Sequence, residues 1–520
     1  MKRIKINFII ALVAVISFTS CKKFLDVNEN PNSPTEGTPE LVLPQAITRT
    51  AGTLVNLNNF GSRLIGYQAN AGGYSGWGSV VSYNYTTGDY GSIFESLYKA
   101  NEDLQVVIDL SGSEEMYKPF VAAAQIMQAY NYQTLVDVYD DVPYTEALKG
   151  AGSLQPKYDN GEDIYKALAD SLDKAMATLD GTSSTSLFEV ADPLFHGDIN
   201  NWIKFANTLK LRLILRSNGK VTFSNTSFNA AGFLTTDALV NPGYSKTDGK
   251  QNPMWNTWAY SASGASVSVA YIPTPYILSY YDGSKILDET RGELVFRGGL
   301  AVATNQLGYQ GDDAKKGPTP SAWFIGSSAS NYAHIGILKG PDMGQPIMLA
   351  AESYFIQAQA NLKGIVGTPA DAEANFNNGV LASFEYLEQD NTGNTADGWD
   401  PNADYEAYVE ANIDNPLVNF SLATTDEERV EAIVTQEYIA NNMVLGHQSW
   451  FEFLRTGYPK IEGPNSTANK KNTFVSVTSE ASTANKLPNR ILYPASEYKY
   501  NEKNIPTGIS PFTSKIFWAQ

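Results

Sequence analysis

Several arrangements in this 520-residue sequence have the residue types of a chemical site. The most extensive is aromatic. Two stretches rich in Gly, Ser, Thr and Asn, residues 70–90 and 253–332, hold a high density of Tyr and Trp. A sugar ring presents an apolar face edged by hydroxyls. A flat aromatic covers the face while neighbouring amides and hydroxyls bond the rim. On that chemistry the candidate ligand contacts are Tyr74, Trp77, Tyr83, Trp258, Trp323 and Tyr332. Trp77 lies between Gly76 and Gly78, which suits an exposed loop tip, and Trp323 has a polar Ser/Gly setting. The competing expectation is that these rings pack the interior of their own segment or face a protein partner.

Carboxylate pairs are the second arrangement. Glycoside hydrolysis needs two acids placed across the scissile bond. Asp140-Asp141 and Asp312-Asp313 are adjacent in sequence, and adjacent side chains point apart, so neither pair is assigned catalysis. Asp312-Asp313, after Gly311, has oxygen donors for a structural Ca2+ but not the regular spacing of an EF-hand loop; no other cofactor is expected. His196, His334 and His447 have no metal-ligand spacing, and no Gly-x-Ser-x-Gly elbow occurs. No catalytic and no metal-ligating residue is therefore assigned.

The third is a single thiol. Lys2, Arg3 and Lys5 precede an apolar run, Ile6 to Phe18, which is too short to span a bilayer and ends Phe18-Thr19-Ser20-Cys21. A basic, apolar, small-residue order followed by cysteine predicts a lipoprotein signal over 1–20, with Cys21 as the acylated residue and a lipidated tether over 21–40. The lipid anchors the chain to a membrane without spanning it. With one cysteine there is no disulfide framework. The formal charge of -18 argues against a nucleic-acid partner, because phosphate binding needs clustered Lys and Arg.

The elements that must position these residues are mostly helical. Ile93, Phe94, Leu97, Leu104 and Val107 recur at helical spacing, and Phe120 to Leu135 and Asp163 to Leu179 are striped alike. Asp198 is placed to cap a helix with the stripe Trp202, Ile203, Ala206, Leu209 and Leu213, closed by Asn218-Gly219. The pattern then stops over 220–345 and resumes with a helix expected from Pro346–Ile347 to Lys363. Further stripes follow: Ala372 to Leu387, Val430 to Tyr438 behind a Thr425/Glu428 capping box, and Trp450 to Arg455. This predicts helix hairpins over about 90–219 and 346–460, a loop-rich lobe over about 220–345, and a C-terminal segment, 461–520, within one domain spanning 41–520. Arg212 and Arg216 are expected to pair with acids or helix carbonyls, and Glu352 to be a buried, hydrogen-bonded carboxylate.

Several strings together are more specific. GDINNWIKFANTLKLRLILR (197–216) resembles the most recognisable segment of the SusD/RagB family, surface nutrient-binding lipoproteins of Bacteroidetes. CKKFLDVNENPNSPT (21–35) is similar to that family's mature N-terminus, and VDVYDDVPYTEAL (136–148) to its segment after the second helix, with Asp140 where Gly is commoner. QPIMLAAESYFIQAQANLKG (345–364) resembles the helix carrying Glu and then Ala-Glu-Ala, although Gln359 replaces the second acid. IVTQEYIA (433–440), WFEFLRTGYPK (450–460) and LPNRILYPASEYKYN (487–501) complete a likeness that runs in order from 21 to 520.

The resemblance implies a mainly α, SusD-like fold: four tetratricopeptide-like helix hairpins with an irregular, loop-rich lobe carrying the ligand face. It implies a cell-surface, outer-membrane lipoprotein that is not an enzyme. Such a protein captures an oligosaccharide or polysaccharide and delivers it to a SusC-like TonB-dependent transporter. The alternatives are a peptide-binding RagB-like protein, a surface glycan hydrolase, and a lid with no ligand affinity of its own.

Overall fold

The structure, a computed structural model, describes residues 37–74, 77–309, 320–483 and 485–520. Cys21 and Asp312-Asp313 lie outside them. Helix α1 (Pro39–Leu64) leads into α2 (Gly91–Ser111), α3 (Lys118–Tyr139), α4 (Gly161–Leu179) and α5 (Ile199–Arg216), each packing on its predecessor. Asp198 caps α5 as its position predicts, accepting the Asn201 N–H at 3.0 Å. After the lobe come α6 (Ala350–Leu362), α7 (Ala372–Glu388), α8 (Pro401–Ala411), α9 (Asp426–Ala440) and α10 (Gly446–Thr456). The Thr425/Glu428 capping box opens α9. Helix α6 packs on α7, α9 and α5, and α10 returns to α1, so both helical groups share one continuous core. No helix among the described residues is long and apolar enough to cross a membrane.

Three elements differ from the sequence expectation: α1, the segment around Pro346, and α8, which buries only Pro401 and Tyr408 and so carries no apolar stripe. Helix α1 carries Pro44, Gly52 and Gly61 and many Thr and Asn residues, a poor intrinsic helix former. Packing overrides propensity here. A Cβ on Gly61 would lie 2.5 Å from the backbone of His447, and one on Gly446 would strike Ser62, so glycine on both sides lets α1 and α10 touch. The segment around Pro346 is not a helix start. Gln345–Met348 is a strand pairing antiparallel with Ala238–Val240, and the helix begins at Ala350. Pro is tolerated in such a two-stranded ribbon, where one side of the strand needs no ladder donor.

The recognisable motif residues hold the helices together from inside. Arg212 on α5 donates to Glu352 of α6 at 2.9 Å and to Gln133 of α3 at 3.0 and 3.1 Å. One turn later Arg216 donates to Asp137 of α3 at 2.6 Å and to Gln448 of α10 at 2.7 Å. Glu452 of α10 pairs with Arg455, which also donates to Gln359 of α6. Trp518 donates its indole N–H to Asp137 at 2.9 Å, tying the C-terminal segment to the same network. Arginine suits this role because its planar fork reaches several acceptors at once. These partners bear out the expectation for Arg212, Arg216 and Glu352.

The lobe has little regular structure. Strand β1 (Gln68–Asn70) pairs antiparallel with β2 (Tyr271–Pro273), and β3 (Gly326–Ser328) with β4 (Asn331–Tyr332). Only short helices, Pro253–Trp258, Pro275–Leu278 and Glu289–Val295, lie between 220 and 345 among the described residues.

Candidate functional site

The β1–β2 ribbon organises the polar surface of the lobe. At its end Asn70 accepts the Gly72 N–H and donates to the Tyr74 carbonyl, both at 2.8 Å, which fixes the turn presenting Tyr74. Tyr74 is 38% exposed. From the neighbouring turn, Asn305 donates to the carbonyls of Asn70 and Tyr309 at 2.8 and 3.0 Å. Gly308 closes that turn with φ of +82°, and a Cβ there would run into Ser476 and Thr478. The turn is thus pinned between the ribbon and the C-terminal segment.

Beside it lies a cleft of about 190 Å3, lined by Pro275, Thr304, Asn305, Gln306, Tyr309, Thr467 and Lys470. Gln306 is buried, yet neither its amide oxygen nor its amide nitrogen has a hydrogen-bond partner among the described residues. An unpaired buried amide costs about 1–3 kcal/mol, so a ligand or water group that reached it would recover that energy. The described lining offers neutral donors and acceptors, one phenol and one ammonium, and no carboxylate.

The six predicted contact residues are distributed unevenly. Tyr74 is exposed, and Tyr332 is half-buried against Trp255 and His334, each at a ring separation of 4.6 Å. Trp77 is not a loop tip. It precedes a short helix, 7% exposed, with its ring 5.1 Å from Tyr271 and the Arg63 guanidinium 4.9 Å over it. Arg63 also donates to the Tyr271 hydroxyl at 2.7 Å, so the three side chains form one cluster.

Tyr83, Trp258 and Trp323 correct the expectation. All are essentially inaccessible, and none has a free ring face. Tyr83 accepts the Ser476 N–H at 3.0 Å, and burial pushes its hydroxyl pKa well up. Trp258 and Trp323 sit in the lobe's core, Trp323 against Phe296. A lobe built of loops needs large rings to fill its interior, and that need claimed the tryptophans.

Asn305, Gln306 and Tyr309 were not singled out by sequence. They are polar, aperiodic and far in sequence from Tyr74, and Gly308 is the only local sign of a turn. The acidic pair Asp140-Asp141 is structural: Asp140 accepts the Phe517 N–H at 2.7 Å and Asp141 the Gly161 N–H at 3.1 Å. Burial raises the Asp140 carboxyl to about 6 against that hydrogen bond. Among the described residues, no three or more His, Cys, Asp and Glu side chains form a group able to hold a metal ion.

A helical scaffold carrying a loop-built lobe is an architecture found in many solved structures. A SusD homologue from Bacteroides fragilis superimposes with a TM-score of 0.65 at 19% identity, covering 93% of this chain and 99% of that one. One from Bacteroides uniformis gives 0.65 at 22% identity, covering 92% and 99%. A chitin-binding SusD homologue from Flavobacterium johnsoniae gives 0.61 at 20% identity, covering 92% and 98%. At these identities the likeness establishes the fold. No curated protein matches the sequence. Two sequence-family models do. Residues 31–269 match the family described as starch-binding, associating with outer membrane, and residues 328–515 the family described as SusD and RagB outer membrane lipoprotein. The chain belongs to the SusD/RagB family of outer-membrane lipoproteins.

Proposed function

We propose that this protein captures a glycan at the cell surface and passes it to a SusC-like TonB-dependent transporter, anchored by an acyl chain on Cys21. It is a binding protein and not an enzyme. The observation that carries the reading is the cleft of Thr304, Asn305, Gln306 and Tyr309, whose amide has no partner among the described residues and whose described lining holds no carboxylate, close to the exposed Tyr74. Neutral amides and hydroxyls match sugar hydroxyls without the desolvation cost of a buried charge. The family description of starch binding and the chitin-binding homologues support the same ligand class.

The test is affinity electrophoresis of the chain from residue 22 onward in gels containing starch, chitin, or plant and host polysaccharides. One glycan should retard the protein without changing in size. Gln306→Ala should weaken that retardation by roughly 2- to 10-fold, the loss of one hydrogen bond, with unchanged melting. Shortening of the glycan would establish a hydrolase. Retardation by no glycan, with heat released on adding peptides, would move the ligand class to peptide, and silence in both would leave a lid. For the anchor, Cys21→Ala should abolish labelling by radioactive palmitate; undiminished labelling would refute it.

A further inference from the structure

The end of the α1–α2 hairpin where the chain enters the fold carries an apolar surface. The two helices run antiparallel: Phe60 meets Tyr90 at one end, ring centroids 4.6 Å apart, and Arg49 pairs with Asp103 at 3.2 Å nearer the other. About two turns beyond that ion pair on each helix, Leu41 of α1 and Leu110 of α2 come to the same end. The turn after α2, Glu115–Tyr117, adds Met116, and Val106 lies one turn back on α2. These four side chains are 39–51% exposed. Tyr117 and Phe120 beside them pack inward instead, with ring centroids 5.6 Å apart.

The rim of this surface is acidic. Asp109, Glu114 and Glu115 are exposed around it. Lys118 pairs with Glu115 at 2.6 Å, and Asp109 and Glu114 have no ion-pair partner among the described residues. At the entry itself, Thr38 Oγ1 and one Glu40 carboxylate oxygen are shielded from solvent with no hydrogen-bond partner among the described residues. This end therefore presents exposed apolar side chains, surplus negative charge and unsatisfied oxygens.

We propose that the segment after Cys21, Lys22-Lys23-Phe24-Leu25, folds back onto this surface. Phe24 and Leu25 cover Leu41, Leu110 and Met116, and the two lysines meet the acidic rim. The composition of the segment matches the surface. Between residues 22 and 36, Lys22 and Lys23 are the only cations, and Phe24, Leu25 and Val27 the only large apolar residues. Residues 26–36 separate this run from Gly37 and include Pro31, Pro34, Asn28, Asn30 and Asn32, types that turn a chain. Extended, they would reach up to about 36–40 Å, so the segment can return to a surface beside its own point of entry. A linker this short gives an effective concentration of about a millimolar, so a modest intrinsic affinity closes the contact. An anionic lipid surface is a poorer occupant, because Asp109, Glu114 and Glu115 repel it. With the segment docked, Cys21 sits against the scaffold, and an acyl anchor there acts as a pivot at this end of α1 instead of a long leash. The glycan cleft is not involved, because it is built on the ribbon that follows the other end of α1.

The test puts the photo-crosslinker p-benzoylphenylalanine in place of Phe24 in the chain starting at residue 22, followed by irradiation and mass spectrometry. This form carries no acyl chain, so the result does not depend on the Cys21 anchor. The expected product is an intramolecular crosslink to Leu41, Leu110 or Met116. Leu110→Glu/Met116→Glu should lower its yield about fivefold or more, by removing apolar contact area and adding to the acidic surface. Circular dichroism and melting should stay native, since both side chains are exposed. Crosslinks elsewhere on the chain, crosslinks only between two copies, or none would overturn the proposal, as would a yield unchanged in Leu110→Glu/Met116→Glu. The same probe in the full-length protein in membranes should give the same product; capture of lipid or of another protein in its place would overturn the proposal and assign the surface to that partner.

Discussion

Replacing Arg212 with Met should destabilise the protein by about 3–5 kcal/mol at neutral pH, the usual cost of leaving one member of a buried ion pair alone. The geometry sets both the size and the pH dependence. Arg212 and Glu352 are 2% and 1% exposed, and among the described residues Arg212 is the only donor to Glu352, through one oxygen at 2.9 Å, and the other oxygen has no partner. Burial already holds the Glu352 carboxyl above its ordinary pKa, against the pull of Arg212. Without the guanidinium that pKa rises further. A carboxyl whose folded pKa exceeds its unfolded value favours the fold below the unfolded pKa and loses that contribution as pH rises through the folded one. The deficit of Arg212→Met should therefore be smallest near pH 4, about the unfolded carboxyl pKa, and grow toward pH 8. Urea unfolding followed by tryptophan fluorescence at several pH values measures it. Arg212→Met/Glu352→Leu should recover about half of the loss. It should retain about 1–3 kcal/mol, because Gln133 still lacks its donor. A pH-independent deficit, or a double variant as unstable as the sum of the singles, would refute the reasoning.

Trp258→Ala and Trp323→Ala should each cost about 3–5 kcal/mol in urea unfolding, the price of truncating a core aromatic; a near-neutral effect for either would return that ring to the ligand face. His447 is buried, both ring nitrogens lack partners among the described residues, and burial beside Arg212 and Arg216 pulls its pKa down to about 3. The unfolded chain, with an ordinary value near 6.5, then binds the extra proton between those limits, so stability falls as pH drops from about 6.5 toward 3, by at most about 1.4 kcal/mol per pH unit. His447→Gln should flatten that slope in urea midpoints measured against pH, and an unaltered slope would show that other groups govern acid unfolding.

The helices legible in the sequence were those whose packing repeats along their own length. Helices α2 and α4 bury one face and expose the other, and such a stripe leaves a period of 3.6 residues in the sequence, while α3 and α5 are buried nearly all round and read as apolar runs. Helix α1 is sandwiched between α2 and α10 and needs glycine where its backbone meets α10, so Gly61 weakens its local signal. Pro346 sits where a helix start and a ribbon strand read alike, and only its partner strand at 238–240 distinguishes them. The ion-pair network was legible as residue types, since Arg212, Arg216 and Glu352 on apolar stripes require partners. Its members on α10 and at Trp518 depend on contacts between residues hundreds of positions apart.

The candidate site was least legible because an aromatic's type does not say which way it faces. The same Tyr and Trp composition serves a sugar platform or a core, and the decision lies in what else must be filled. The helical scaffold fills its interior with Leu, Ile, Val, Ala and rings such as Trp202, Phe205 and Trp450, set on regular faces. The lobe has only two-residue to seven-residue elements between 220 and 345 among the described residues, so it cannot build such faces. It uses Trp255, Trp258, Phe296, Trp323 and Phe324 instead, packed on one another. What remains near the surface is Tyr74, part of Tyr332 and the amides of the 304–309 turn. A ligand face of that composition selects by hydrogen-bond geometry more than by stacking area. Discrimination between glycans should then follow the placement of hydroxyls around the ring, and removing a matched hydroxyl should cost more affinity than trimming the aromatic that covers the ring, because the site's own buried amide would be left without a partner.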